Sequence, residues 1–314
     1  MRFDFDDINL IPKKCIVSSR SECDTSLKFG NFTFKLPIVP ANMECVLDVD
    51  LSRKLAENGY FYILHRFLTD DEIIKFVKSM NDNGLISSIS LGVNQDSYEL
   101  FDKLINNGSK IDFITVDIAH GHAIKMERMI KYIKENSPST FVIAGNVSTV
   151  EAVFELEKWG ADAVKVGIGP GSACTTYPST GFGSRNCQAS TIYHCATVAN
   201  IPIVADGGIK NPGDIAKSLA LGATMIMTGG LLSGYNDSPG HTVEVDGKLF
   251  KEFWGSASSF QSGKSNRIEG RKTLVEFKNE SILDGLKYIE ECLQSSISYG
   301  GGKDLDAFIN VQWV

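Results

Sequence analysis

Eight short runs of apolar and β-branched residues punctuate the chain: LPIVPAN, YFYILH, LISSISLG, DFITVDIA, TFVIAGNV, ADAVKVGI, IPIVADGG and ATMIMTGG. Each is continuous rather than alternating, the pattern of a parallel strand covered on both faces. Stretches of helical period lie between most of them. DEIIKFVKSMNDNG and VEAVFELEKWG are two such stretches, and each ends in glycine, a residue that stops a helix at low conformational cost. The runs start near residues 37, 60, 85, 112, 140, 161, 201 and 223. Most spacings are in the twenties, enough for one βα unit each, and the exception is the gap of 40 after residue 161. Eight such units predict a (β/α)₈ TIM barrel, with a doubly wound open sheet as the alternative. No break in the pattern marks a second domain, so residues 1–314 are expected to form a single domain.

In a barrel, the C-terminal strand ends carry the active site. Here those ends read PANME, LHRF, SLGV, DIAHGH, AGNVS, GIGPGSAC, ADGG and TGG, rich in Asp, His, Asn and Gly. The period is lost over residues 233–272, an insertion before the last helix. Within it VEVDGKLFKEF predicts a hairpin turning on Asp246-Gly247. SSFQSGKSN is polar and Ser/Gly-rich, the composition of a mobile flap.

Charge narrows the class. The 38 acidic residues outnumber the 31 basic ones and leave a net charge of −7, which argues against nucleic acid as the main partner. MRFDFDDINL lacks the basic start and apolar segment of a signal peptide, and no apolar run is long enough to span a membrane. The seven cysteines are scattered, odd in number and without a C-x-x-C pair, which suits free thiols in a reducing cytoplasm.

Four groups of residues carry candidate chemistry. Asp206-Gly207-Gly208 and Gly229-Gly230 end the last two runs, where barrels hold phosphate on glycine N–H groups; tight turns are the plainer reading. Cys174 follows Gly167-Ile168-Gly169-Pro170-Gly171 and precedes Thr175 and Thr176. A thiolate at a barrel mouth is a strong nucleophile, and a buried filler is the usual fate of a lone cysteine. Carbonyls of such a Gly-rich turn can also converge on a monovalent cation. Glu269, between Arg267 and Arg271, is either an acid/base partner folded over the site or a solvated surface charge. Asp117 and Arg66, at strand ends, suit a ribose, an amide or a phosphate. His65, His120 and His122 lack zinc-signature spacing and read as core or supporting groups.

With these residues assembled, the chain resembles the IMP dehydrogenase/GMP reductase family. GIGPGSACTT, ADGG, MTGG and FDDINLIP carry the resemblance, and SRSECD, PANM, LHRF, DIAHGH and the terminal ISYGGGKDL extend it over the whole chain. The family's dehydrogenases usually carry an inserted CBS regulatory domain and an Arg-Tyr pair in the flap that activates water. This chain has no room for the domain, and SASSFQSGKSNRIEG contains no Arg-Tyr. The resemblance therefore implies the reductase branch, in its shorter bacterial form: NADPH-dependent conversion of GMP to IMP and ammonia through a thioimidate on the cysteine. An IMP dehydrogenase lacking its regulatory domain and a non-catalytic purine-nucleotide barrel are the alternatives.

The resemblance also implies roles position by position. Cys174, Thr176 and Glu269 match the catalytic set. Asp206, Gly207, Gly208, Gly229, Gly230, Gly255, Ser256, Ala257 and Gly270 match GMP contacts. Asp117, Ala119, Ile168, Gly169, Arg66 and Ser256 match the NADPH side. Ser19, Arg20, Tyr299 and Gly300 match positions that reach the cofactor, Ser19 and Arg20 that of a neighbouring subunit in a homotetramer. Gly169, Gly171, Cys174 and Tyr177 match carbonyls that hold potassium (K+). The chain departs from the animal enzymes at Arg66, Ser256 and Asn266, and from the usual basic residue at Tyr177.

Overall fold

The computed structural model describes residues 2–256 and 269–314. Seven parallel strands form its central sheet: β3 (Ile38–Pro40), β4 (Ser88–Leu91), β5 (Phe113–Asp117), β6 (Phe141–Val147), β7 (Ala163–Val166), β8 (Ile203–Asp206) and β9 (Met225–Thr228). Their order is β3-β9-β8-β7-β6-β5-β4, so each strand from β4 to β9 lies beside the next in sequence, and β9 returns to β3. Helices alternate with the strands. The fold is an α/β TIM barrel.

The run at 60–65 is not a regular strand. It reaches β4 only through Leu64, which bridges Ile89 in parallel. Leu64 donates its N–H to Ser88 O (3.1 Å), and Ser90 N–H donates to Leu64 O (2.9 Å). The side chain of Tyr62 explains the short ladder. Its hydroxyl donates to Ile86 O (2.6 Å) and accepts from Ser88 N–H (3.2 Å), occupying backbone groups that a ladder would use. The run still fills the eighth barrel position, because its side chains alternate as a strand's do. Phe61 and Ile63 join the inner core, while Tyr62 and Leu64 join the outer layer under the helices. Replacing Tyr62 with Phe leaves a buried N–H and C=O without this partner. The expected loss is about 1–3 kcal/mol of unfolding free energy, read by chemical denaturation.

The inner core takes Val39, Phe113, Ile143, Ala163, Val204 and Met225 from the strands. Below it, an N-terminal hairpin, β1 (Leu27–Phe29) with β2 (Phe32–Phe34), plugs the barrel. Phe34 packs tilted against Phe61 with ring centroids 4.9 Å apart, and Phe61 packs edge-on against Phe113, also at 4.9 Å. Each fully buried ring contributes about 1.5–3 kcal/mol, so the barrel floor is well anchored and the open end is left for binding.

Local signals place the helices. Helix α2 (Asp70–Asp82, after α1, Val49–Glu57) starts on a capping box between Thr69 and Glu72 and buries Ile73, Phe76, Val77 and Met80 on one face. The glycine predicted to stop it, Gly84, has φ +64°. The predicted hairpin turns on Asp246 (φ 50°) and Gly247 (φ 75°), joining β10 (Thr242–Val245) to β11 (Lys248–Trp254). A third strand, β12 (Lys272–Glu276), pairs antiparallel with β11. The flap segment SSFQSGKSN lies outside the described residues. No described helix is long and apolar enough to cross a membrane.

Candidate active site

The loop after β7 is pressed against the end of β8. Gly167 has φ +147°, and a Cβ there would lie 1.9 Å from Asp206 O, so no other residue fits. Beyond the glycines, Cys174 N–H donates to Gly171 O at 3.0 Å, closing a turn that lifts the thiol to the mouth. The segment before β12 then straps across this loop. Thr175 N–H donates to Glu269 O (3.2 Å), Arg271 N–H to Ala173 O (2.9 Å) and Arg271 Nε–H to Ser172 O (3.1 Å). Cys174 and Gly270 form an antiparallel bridge.

This strapping assembles a chain of three side chains. Thr176 donates its hydroxyl to Glu269 Oε2 at 2.7 Å, and Cys174 Sγ lies 3.2 Å from Thr176 Oγ1. With the threonine proton on the carboxylate, the thiol is left to donate to the threonine oxygen or to Glu269 O, 3.8 Å away. The arrangement is a path along which a proton can pass from sulfur through Thr176 to Glu269. Glu269 is thus a part of the mouth and not a lone surface charge. Two other thiols contrast with Cys174. Burial pushes Cys45 and Cys195 up to about 12, which keeps them protonated and inert. Cys174 is partly exposed and lines the cavity.

That cavity measures about 1000 Å³ and opens at the C-terminal ends of the strands. Its size is at the top of the ~300–1,000 Å³ range of small-molecule sites, room for a nucleotide with a second ligand beside it. It gathers most of the expected residues: Arg66, Asp117, Ala119, Ile168, Gly169, Gly171, Cys174, Thr176, Asp206, Gly207, Gly208, Gly229, Gly230, Gly255, Ser256 and Glu269. Gly270 is bridged to Cys174 through the backbone. Tyr177 sits in the short helix Thr176–Thr180, exposed. Ala257 is outside the described residues.

Four further expected residues, Ser19, Arg20, Tyr299 and Gly300, do not line the cavity. Ser19 caps a 3-10 turn at Arg20–Glu22. The following Cys23 O accepts from Gln294 Nε2 on the C-terminal helix Ile282–Tyr299 (3.2 Å). Tyr299 ends that helix, exposed, with Gly300 as its cap. The histidines are accounted for in part. His65 is buried, its imidazole held below the usual value by burial, and its Nδ1 accepts from Phe67 N–H (3.2 Å). His122 Nε2 pairs with Glu155 Oε2 at 2.6 Å. Among the described residues no three His, Cys, Asp or Glu side chains are grouped to hold a metal ion.

One feature of the mouth was not foreseen. Lys165, inside the apolar run ADAVKV, is 2% exposed and sits between two carboxylates. Its Nζ donates to Asp117 Oδ1 at 3.0 Å and lies 3.3 Å from Asp206 Oδ2. Asn42 Nδ2 donates to Asp117 Oδ2 (2.8 Å) and Asn146 Nδ2 to Asp206 Oδ2 (2.7 Å). Burial alone would raise the Asp117 carboxyl. Lys165 outweighs it, with Asn42 and Arg66, and holds the group below the usual carboxylate range. A lysine in a strand that is otherwise apolar was the available signal, since an unpaired one would not be tolerated there.

The family model described as IMP dehydrogenase / GMP reductase domain matches residues 2–311. The chain belongs to the IMP dehydrogenase/GMP reductase family. Similar curated proteins carry the reductase name. The GMP reductases of Bacillus licheniformis and Bacillus subtilis are each 54% identical over 312 residues, covering 99% of this chain and 95% of the relative. That of Clostridium acetobutylicum is 52% identical over the same 312 residues. Within the IMP dehydrogenase/GMP reductase family, then, near full-length similarity runs to proteins named for one of its two activities.

Proposed function

We propose that this chain is a GMP reductase, converting GMP to IMP and ammonia at the expense of NADPH. The Cys174–Thr176–Glu269 path carries the reading. The Cys174 sulfur forms a bond to C2 of the guanine base. The proton it releases passes by way of Thr176 and Glu269 toward the 2-amino group, which leaves as ammonia once protonated, and a thioimidate remains on Cys174. Asp117, Ala119, Ile168 and Arg66 would hold NADPH, which would supply the hydride for C2. The carbon–sulfur bond then breaks, IMP departs and Cys174 is restored. Without the amino group to expel, the path has no task, which is why it supports deamination over a binding-only role.

The surroundings fit two ligands. Asn146 and Thr228 line the cavity, and Asn146 Oδ1 and Thr228 Oγ1 are buried polar atoms without a partner among the described residues. Asp206 suits ribose hydroxyls, and the N–H groups of Gly207, Gly208, Gly229 and Gly230 suit the phosphate. Gly255 and Ser256 would flank the base, with Ala257 next in sequence and Gly270 bridged to Cys174. The carbonyls of Gly169, Gly171, Cys174 and Tyr177 are the candidate potassium ligands. Gly171 O and Tyr177 O each accept one backbone bond already and keep a second lone pair. Ser19, Arg20, Tyr299 and Gly300, remote from the chain's own cavity, would serve a neighbouring subunit's site in a homotetramer. One catalytic domain in the cytoplasm accords with the seven free cysteines.

The test is to mix protein, GMP and NADPH and follow NADPH absorbance together with ammonia. Equal consumption and release are expected. NADH formation from IMP and NAD, with no reaction of GMP, would assign the chain to the dehydrogenase branch instead.

A further inference from the structure

A buried ammonium between two carboxylates is costly to build. Removing each charge from water costs several kcal/mol, recovered only where the geometry and remaining hydrogen bonds are good. Lys165 meets that condition. It is held on β7 between Asp117 at the end of β5 and Asp206 at the end of β8. Burial would lower its ammonium, but the two carboxylates outweigh it and hold Lys165 above the ordinary lysine value. The two aspartates are partly open, 23% and 20% exposed, and both line the cavity.

The outer contacts are equally ordered. Asn146 Nδ2 also donates to Gly167 O (2.7 Å), so its amide orientation is set from two sides. Asp206 receives Asn146 and Lys165 on the same oxygen, Oδ2, which leaves Oδ1 for a ligand among the described contacts. Arg66, from the loop after the 60–65 run, is the other cation whose charge acts on Asp117. Without the shared Lys165 cation, the two carboxylates would repel each other across the mouth.

We propose that Lys165 is a positioning residue that holds Asp117 and Asp206 in register, so that one buried charge orders the nucleotide side and the cofactor side of the cavity together. It touches neither ligand in this scheme and acts through the two aspartates. The inference rests on the proposed reading of which ligand lies on which side.

Its test separates from turnover. GMP binding is measured by calorimetry without cofactor, and NADPH binding by its fluorescence without GMP, in the parent, Lys165→Gln, Asp117→Asn and Asp206→Asn. Glutamine keeps a donor of similar length and drops the charge. Lys165→Gln is expected to weaken both ligands by tenfold or more. Asp206→Asn should weaken mainly GMP, and Asp117→Asn mainly NADPH. A merely structural lysine would lower the melting temperature and leave the affinities of the folded protein alone. Affinities of Lys165→Gln within threefold of the parent, or loss of one ligand only, would overturn the proposal. If that variant does not fold, Lys165→Met with Asp117→Asn removes one carboxylate along with the cation. Asp206 then still lacks its partner, so GMP affinity should fall relative to Asp117→Asn alone, and an unchanged affinity overturns the proposal. A parent that binds neither GMP nor NADPH would instead sink the reading of function.

Discussion

Cys174→Ala abolishes GMP-dependent NADPH consumption, with a loss of at least about 10³-fold in kcat. Among the described residues, the Cys174 sulfur is the nucleophile at the mouth placed to form the covalent bond that splits the substitution into two steps, and alanine offers no substitute. Binding should persist. Asp206 ends β8, and the glycines whose N–H groups would grip phosphate follow β8 and β9, none of them on the cysteine loop. Calorimetry with GMP should therefore give an affinity within a few-fold of the parent. Mass spectrometry of parent protein quenched during turnover should show an added purine nucleotide on Cys174, absent from the variant. Turnover retained by Cys174→Ala would return this cysteine to the status of filler, alongside Cys45 and Cys195.

Glu269→Gln should lower kcat by about 10²–10³ while leaving KM for GMP close to the parent's. Glutamine matches the carboxylate in size and can still accept from the Thr176 hydroxyl, now at 2.7 Å, but it cannot take up a proton. Thr176→Val removes the middle of the path at almost constant volume and should fall in the same range. The two changes act on one unit, so the double variant should be no worse than the poorer single one by more than a few-fold. Steady-state rates over a range of GMP concentrations decide this. A large rise in KM with unchanged kcat would make Glu269 a binding residue and leave the departure of ammonia without a proton donor.

Much of the architecture was legible because it is written in local pattern. Continuous apolar runs marked the buried parallel strands, Asp246-Gly247 marked its hairpin, and Gly84 and Gly160 marked helix ends, all with the positive φ that glycine or an Asx residue tolerates. The run at 60–65 shows the limit of that reading. Its pattern is that of any other strand in the barrel, and only the hydroxyl of Tyr62, reaching Ile86 and Ser88 some 24 and 26 residues on, shortens its ladder.

By itself the sequence determined the fold class, the glycine loops at the strand ends and the one cysteine set in such a loop. Each depends on residues adjacent in the chain, where propensity and spacing carry the physics. Tertiary structure alone decided which charges meet. Glu269 reaches Thr176 across 93 residues because the strap before β12 pairs with the cysteine loop. Lys165 meets Asp117 across 48 because β5 and β7 flank β6 in the same curled sheet. Electrostatic and hydrogen-bond energies fall off with distance in space and are indifferent to distance along the chain. A pair of this kind leaves no periodic trace in the sequence, and a lone lysine in an apolar strand was its one visible mark.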